Sequence, residues 1–321
     1  MNIVYILIGI GLLTAGGELL IRSALSAAKR AGISPLLSGL VIVGFGTSSP
    51  ELAVSLDAAL SGLPDFAVGN VIGSNISNAL LILGVCAMIA PIAVHRSALR
   101  RDGLVALAAA LLLPVMAIGA TLSLVDGLIL VLALIGYILW AYREERVKGG
   151  PDAELHEQQA ELVEAVPGSL LGSITGIIGG LIVLIGGSQV LLKGALGIAQ
   201  SAGVSEAVIG LTLVAVGTSL PELTISVIAA FKGQADIAIG NVLGSNIINV
   251  MGILGISALI QPLSIHPRMM QFDIWIMIAV TVILLGFLFS GRKLSRMEGG
   301  VLFLLYVGYV LFSFIFFEAA A

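Results

Sequence analysis

The chain has 321 residues, of which 58% are hydrophobic and 11% are charged, and its mean hydropathy is +1.13. Because a typical soluble domain has about 25% charged residues, this composition excludes an ordinary soluble protein and indicates a chain embedded in a lipid bilayer. The net charge of −4 says little about partners, and we expect neither a nucleic acid nor a required protein partner.

Apolar segments of roughly 20 residues, the length that crosses a bilayer as a helix, recur from one end of the chain to the other. We expect the first of them to be a true span, because Met1 to Val4 lack the positive charge that begins a signal peptide. The sequence predicts an all-α integral membrane protein with ten transmembrane helices. The predicted spans are 3–27, 35–61, 66–91, 102–121, 124–142, 170–200, 206–231, 237–262, 272–290 and 297–317.

Part of the sequence occurs twice. Residues 39–95 align with residues 210–266 at a constant offset of 171, and about 30 of the 57 aligned positions are identical. Each half holds five predicted spans, an odd number, so the second copy enters the membrane in the opposite direction. The sequence therefore predicts two inverted five-helix repeats, 1–142 and 170–321, joined by a linker at 143–169. Many secondary transporters are built in this way.

The basic residues test this topology, because Lys and Arg favour the cytoplasmic side of short loops. If the N-terminus is outside, only Arg268 lies clearly outside, and Arg22 and Lys193 are ambiguous. We therefore expect a multi-pass protein of the cell (inner) membrane with both termini outside and a cytoplasmic linker. The basic residues placed inside are Lys29, Arg30, Arg96, Arg100, Arg101, Arg143, Arg146, Lys148, Lys232, Arg292, Lys293 and Arg296.

The second and seventh spans each carry Gly-Thr-Ser-x-Pro-Glu, which ends at Glu51 and Glu222. Proline lacks an N–H and disrupts the helix, so we expect free carbonyl oxygens near Gly46 and Thr47. Ser48 and Thr47 lie about one turn before Glu51 on the same helix face. Carboxylate, hydroxyl and carbonyl oxygens are the ligands of hard cations.

The third and eighth spans each carry Gly-Asn-x-x-Gly-Ser-Asn, and their polar residues recur every four positions. This spacing predicts one polar stripe on each helix. Small residues beside the stripe permit close helix packing, which is also the simplest explanation of the glycines alone. The stripes consist of Asn70, Ser74 and Asn78 in the first copy and of Asn241, Ser245 and Asn249 in the second.

The two glutamates are costly to place in a bilayer. An unpaired charge at its centre costs at least about 2.5–3.5 kcal/mol, and two carboxylates about 4 Å apart repel by roughly 4 kcal/mol at an effective dielectric near 20. The four spans with the motifs contain no Lys or Arg to neutralise them. A cation or a proton held between Glu51 and Glu222 offsets these costs. No nucleophile–base pair or histidine cluster accompanies them, so we do not expect an enzyme.

The two motif pairs resemble the repeats of the sodium/calcium exchanger family, within the calcium/cation antiporter superfamily, and the ten spans with a short linker resemble its compact prokaryotic members. The resemblance implies a sodium/calcium antiporter with no cofactor, only the transported ions. It implies that Glu51 and Glu222, with the carbonyls of Thr47 and Thr218, bind calcium. It further implies that flanking sodium sites are formed by Ser48, Ser74, Ser219, Ser245 and the carbonyls near Gly44 and Ala215.

One position departs from this family. Some members have an aspartate where this chain has Asn249, which here matches Asn78 of the first copy. Two acidic ligands balance one divalent ion, and the stoichiometry stays open. Two other functions also stay open: a calcium/proton antiporter, in which the buried glutamates take up protons, and a passive cation channel with the same oxygen ligands.

Glu18 is an isolated acid within the first span, and the corresponding residue of the second copy is Gln189. We expect Glu18 to pair with Arg22, which lies one helical turn later. The alternative is that it lines an aqueous access path.

Overall fold

The structure, a computed structural model, describes residues 2–31, 37–93, 99–147, 169–201 and 215–317. Within these ranges, seven helices are long and apolar enough to cross a membrane, and a helix pair bent by 45° makes an eighth. The ten-span count stays a prediction. The predicted span 206–231 begins outside the described residues, and helix 99–116 has three charged residues in its first turn, Arg100, Arg101 and Asp102. Most of the predicted linker, 148–168, also lies outside the described residues.

Among the described residues, the first half contains six helices and two short strands, and three of these helices include a π-helical stretch. These stretches are Ser38–Val43 in α2, Asn78–Ile82 in α4 and Leu99–Gly103 at the start of α5. The elements are α1 (Asn2–Ala31), α2 (Ser38–Thr47), α3 (Ser49–Leu60), α4 (Pro64–Ile89), β1 (Ile92–Ala93), α5 (99–116), β2 (Thr121–Leu122) and α6 (Leu124–Val147).

The second half repeats this order. Its π-helical stretches, Ile248–Leu254 and Met269–Asp273, lie at positions equivalent to those in α4 and α5. The elements are α7 (Leu170–Ser201), α8 (Ala215–Thr218), α9 (Leu220–Phe231), α10 (Ala235–Ile260), β3 (Leu263–Ser264), α11 (Met269–Gly291), β4 (Lys293–Leu294) and α12 (Arg296–Phe317).

The long helices α1 and α7 open the two halves and pack against each other along their lengths. Gly9 faces Leu191, and Gly180, the equivalent of Gly9, faces Leu20. These contacts run in opposite directions along the two helices, so equivalent helices of the two halves are antiparallel. A Cβ at Gly9 would lie 2.6 Å from the backbone nitrogen of Leu191, so glycine permits the close approach.

Two small antiparallel ladders also join the halves: β1 pairs with β4, and β2 pairs with β3. Tyrosine–aspartate hydrogen bonds provide a second repeated contact, this time within each half. The hydroxyl of Tyr137 donates to Asp102 at 2.7 Å, and that of Tyr309 donates to Asp273 at 3.0 Å. These bonds satisfy buried acids and attach the last helix of each half to the preceding one.

Helices α4 and α10 occupy the centre of the molecule, where α10 is buried almost throughout. Helix α2 crosses α10 at very short distance. A Cβ at Gly244 would lie 2.4 Å from the carbonyl oxygen of Leu40, and a Cβ at Gly44 would lie 3.2 Å from the nitrogen of Ser245. These glycines therefore hold the end of α2 against the polar stripe of α10.

Candidate functional site

The predicted helix break is present in the second span. Helix α2 ends at Thr47, Ser48 forms a turn, and α3 begins at Ser49, so Pro50 lies in the first turn of a new helix. Proline is well tolerated there because its missing N–H has no intrahelical partner in any case. Glu51 also lies in this first turn, where the free N–H groups and the helix dipole favour a negative charge.

The second copy has the same break. Helix α8 ends at Thr218, Ser219 lies at the position before the first residue of α9, and Pro221 and Glu222 lie in the first turn. Two helix N-termini, one from each half, thus each carry a carboxylate inside the protein.

The two carboxylates lie against each other's helix break. The hydroxyl of Ser48 donates to Oε1 of Glu222 at 3.1 Å, and that of Ser219 donates to Oε1 of Glu51 at 3.3 Å. Both glutamates are only 1% exposed, and they interact electrostatically. Adding 171 to the residue numbers of Ser48 and Glu51 gives Ser219 and Glu222, so each contact has an equivalent in the other half. The site therefore has the two-fold relation of an isologous interface.

Four buried oxygen atoms on the helices that meet at this site accept no hydrogen bond from the residues that the structure describes. They are Oε2 of Glu51, Oε2 of Glu222, Oδ1 of Asn78 and Oδ1 of Asn249. Buried polar groups in native proteins normally have a partner, and an unpaired carboxylate oxygen is the most costly to leave without one. All four are acceptors, which is the requirement of a cation and not of an anion.

Asn70 and Asn241 were expected to belong to the polar stripes. In the structure their side chains connect each glutamate-bearing helix to the neighbouring helix. Nδ2 of Asn70 donates to the backbone oxygen of Glu51 at 3.3 Å and to Ser55 at 3.0 Å. Nδ2 of Asn241 donates in the same way to the backbone oxygen of Glu222 at 3.2 Å and to Ser226 at 3.0 Å. These amides fix each glutamate-bearing helix to the neighbouring central helix.

The carbonyl of Gly44, an expected ion ligand, already has donors in this structure. The backbone N–H of Ser48 lies 3.0 Å from it, the hydroxyl of Thr47 lies 3.3 Å away and that of Ser245 lies 3.5 Å away. An ion at this carbonyl would replace a hydroxyl donor. Its counterpart Ala215 begins α8.

The remaining expected ligands lie close to the same centre. Thr47 and Thr218 each interact with the carboxylate of the other half, and Thr47 also donates to Oδ1 of Asn241 at 3.1 Å. Ser74 is buried in α4 at the position that Ser245 occupies in α10. The described residues include no group of three or more His, Cys, Asp and Glu side chains suited to a metal ion. An ion here would therefore combine two carboxylates with neutral oxygens.

Asn75 and Asn246 were not among the predicted site residues, and they form the centre of the polar contacts between α4 and α10. Nδ2 of Asn75 donates to the backbone oxygen of Asn246 at 3.2 Å, and Nδ2 of Asn246 donates to the backbone oxygen of Asn75 at 3.4 Å. Their position three residues before Asn78 and Asn249 was a usable signal, since such residues share a helix face.

Glu18 pairs with Arg22, as expected, and also with a second cation. Nζ of Lys232, just after α9, lies 3.0 Å from Oε1 of Glu18. These ion pairs are partly exposed, and they tie α1 to the end of the helix that begins near Glu222.

Comparison with known proteins places the site in a family context. The family described as sodium/calcium exchanger protein matches residues 1–143 and 172–315. The putative antiporter CaxA of Alkalimonas amylolytica is 37% identical over 97% of this chain and 98% of its own length. The sodium/calcium exchanger MaX1 of Methanosarcina acetivorans is 34% identical over 98% and 99%. The inner membrane protein YrbG of Escherichia coli is 34% identical over 95% and 94%.

Solved structures agree with these sequence relatives. The sodium-calcium exchanger NCX_Mj, soaked with 2.5 mM Na+ and 0.1 mM Ca2+, matches with a TM-score of 0.82 and 30% identity. The match covers 97% of this chain and 97% of that chain. The same exchanger soaked with zero Na+ and Ca2+ also matches with a TM-score of 0.82.

Proposed function

Because the chain belongs to the sodium/calcium exchanger protein family, we propose that it exchanges sodium for calcium across the membrane by alternating access. Glu51 and Glu222 hold the ions at the interface between the two halves. The relatives support the choice of ions, since MaX1 is named a sodium/calcium exchanger and NCX_Mj was soaked with both ions.

The observation that carries this proposal is the set of four buried acceptor oxygens from Glu51, Glu222, Asn78 and Asn249. Two carboxylates supply a charge of −2, which one calcium ion neutralises, and calcium accepts six to eight oxygen ligands. Hydroxyls of Ser48 and Ser219 already lie at the carboxylates and suit weakly held sodium. Sodium and calcium thus compete for the same carboxylates, and exchange follows from that competition.

Alternating access is supported by the relation between the halves. Equivalent helices α1 and α7 pack antiparallel, and the contacts at the glutamates are reciprocal. We infer that 1–142 and 170–321 are inverted five-helix repeats joined by the linker 143–169. Inverted repeats place an ion site at the membrane midplane, where small movements of one part against the other open either side.

The counter-ion decides between this proposal and a calcium/proton antiporter. In vesicles at constant pH, an outward sodium gradient is expected to drive calcium accumulation, because sodium leaving the site frees the carboxylates for calcium. A proton gradient without sodium serves as the comparison. If it drives accumulation equally well, the proton antiporter replaces our proposal, and calcium flux without any counter-ion gradient points to a channel.

The serines at the site provide a matched test of sodium binding. We expect Ser48→Ala and Ser219→Ala each to weaken sodium binding about tenfold, equivalent to about 1.4 kcal/mol, because each removes an oxygen beside a carboxylate. Ser74→Ala and Ser245→Ala are expected to weaken sodium dependence more than calcium binding. Sodium titration of calcium efflux measures the effect.

Ser49→Ala is the control for this series, because the hydroxyl of Ser49 donates to the carbonyl of Phe45 at 3.1 Å on the exposed side of the helix. We expect its sodium dependence to equal that of the wild type. If Ser48→Ala and Ser49→Ala show the same sodium dependence, the hydroxyl of Ser48 is not a sodium ligand.

The chain is a multi-pass membrane protein, and we propose that both termini are outside and the linker is cytoplasmic. On a Cys86→Ala background, Asp152→Cys is expected to resist an impermeant thiol reagent added to intact cells. Ser123→Cys, in the exposed loop between α5 and α6, is expected to react. Labelling of position 152 from outside contradicts this orientation.

A further inference from the structure

The central helices α4 and α10 pack against the glutamate-bearing helices α3 and α9. Side-chain amides of α4 and α10 form a closed set of hydrogen bonds. Nδ2 of Asn78 donates to Oδ1 of Asn246 at 3.0 Å, and Nδ2 of Asn249 donates to Oδ1 of Asn75 at 3.0 Å. Asn75 and Asn246 in turn donate to each other's backbone carbonyl oxygens. Each bond has its counterpart at an offset of 171, so the set is symmetric between the halves.

The backbone carbonyls determine which way every amide points. A carbonyl oxygen can only accept, so Asn246 must direct its Nδ2 to the backbone of Asn75 and its Oδ1 to Asn78. Asn78 must then donate its Nδ2 to that oxygen. The remaining atom, Oδ1 of Asn78, is left without a donor among the described residues, and the same chain of reasoning leaves Oδ1 of Asn249.

We propose that Asn246 and Asn75 are positioning residues that fix the orientation of the Asn78 and Asn249 amides, so that each presents its oxygen to the cation. The inference rests on the proposed function. An amide turned by 180° presents N–H hydrogens with partial positive charge, so the same side chain would repel the ion that it otherwise binds. In a site with two carboxylates, this orientation decides whether the neutral ligands add to cation affinity or subtract from it.

Leucine has the same side-chain branching and number of heavy atoms as asparagine but carries no polar atom. In Asn246→Leu, the amide of Asn78 loses its acceptor and can turn, so we expect the Kd for calcium to rise about tenfold. Calcium binding to purified protein at constant pH measures this Kd. The sodium concentration that displaces half of the bound calcium measures the affinity for sodium. Asn75→Leu is expected to have the same effect through Asn249.

A double-mutant cycle separates positioning from a general packing defect. If Asn246 acts through Asn78, then Asn246→Leu adds no further loss of affinity to Asn78→Ala. When Asn246→Leu is combined with Asn249→Ala, the losses of affinity from the two single variants should multiply, since Asn246 orients the amide of Asn78 and not that of Asn249. The same pattern is expected for Asn75 with Asn249 and with Asn78.

Met277→Leu is the matched packing control. Met277 accepts only a weak bond from Nδ2 of Asn75 through sulfur at 3.7 Å, and the backbone oxygen of Asn246 still directs that amide when the sulfur is lost. We expect unchanged calcium affinity. If the leucine variants do not fold, Asn246→Ser and Asn75→Ser are used in the same cycles, since a serine hydroxyl is too short to reach the partner amide.

Unchanged calcium affinity in Asn246→Leu, or multiplicative effects in the Asn246/Asn78 pair, would overturn the positioning role while the wild type still exchanges sodium for calcium. A wild-type protein that binds neither ion would overturn the proposed function itself, and the inference with it.

Discussion

Replacing Glu51 or Glu222 by glutamine is expected to reduce sodium-dependent calcium uptake at least about a hundredfold. The change keeps the size of the side chain but halves the negative charge of the site. One unit of opposite charge at about 4 Å is worth roughly 4 kcal/mol at an effective dielectric near 20, and each 1.4 kcal/mol is about tenfold in affinity. Calcium uptake into vesicles that contain purified variants measures the loss.

The control for this prediction lies on the same helix. Asp57 is an exposed acid in α3, six residues after Glu51, and Asp57→Asn should transport calcium at nearly the wild-type rate. Size-exclusion profiles of all three variants should match that of the wild type, because the glutamine oxygen still accepts a hydrogen bond from the serine hydroxyl. Near-normal uptake by a folded Glu51→Gln or Glu222→Gln protein would exclude that glutamate as an ion ligand.

The second large effect concerns the contact that holds the end of α2 at the site. In Gly244→Ala, the new methyl group would lie 2.4 Å from the carbonyl oxygen of Leu40 and 2.7 Å from its Cα. Both atoms belong to the backbone of a helix, so neither can turn aside. Overpacking of this kind costs about 1–3 kcal/mol, and relief requires α2 to move away from α10.

We therefore expect Gly244→Ala to lower the melting temperature of the purified protein and to reduce calcium uptake more than the remaining folded fraction explains. Gly286→Ala is the control. Gly286 lies on the exposed side of α11, and a Cβ there meets no described atom within 4 Å. Alanine is the better helix former by about 1 kcal/mol, so Gly286→Ala should be neutral or stabilising. Equal melting temperatures for the two variants would contradict the close helix crossing.

The importance of Glu51 and Glu222 could be predicted because the same unusual motif occurs at both positions. A glutamate directly after a proline in an apolar span has few structural explanations, and its exact repetition at an offset of 171 points to one shared site. The structure confirms the helix breaks and places the two residues at facing helix N-termini. Local chain chemistry was sufficient here because proline acts on its own helix.

The contacts between helices could not be predicted in the same way. A spacing of four residues identifies Asn70, Ser74 and Asn78 as one stripe but omits Asn75. The contact that makes Asn75 important is with the backbone of Asn246 in the other half. The bond from the hydroxyl of Ser245 to the carbonyl of Gly44 likewise joins the two halves. Such bonds follow from the packing of α4 and α2 against α10, and spacing within one helix carries no information about their partners.

The most direct test of the central claim is the position of a bound ion. Crystals grown in calcium without sodium, measured at a wavelength where calcium scatters anomalously, should show one peak between the two halves. We expect this peak to lie about 2.3–2.6 Å, the usual calcium–oxygen distance, from Oε2 of both Glu51 and Glu222. A calcium peak bound by only one of these glutamates, or by neither, would contradict the claim.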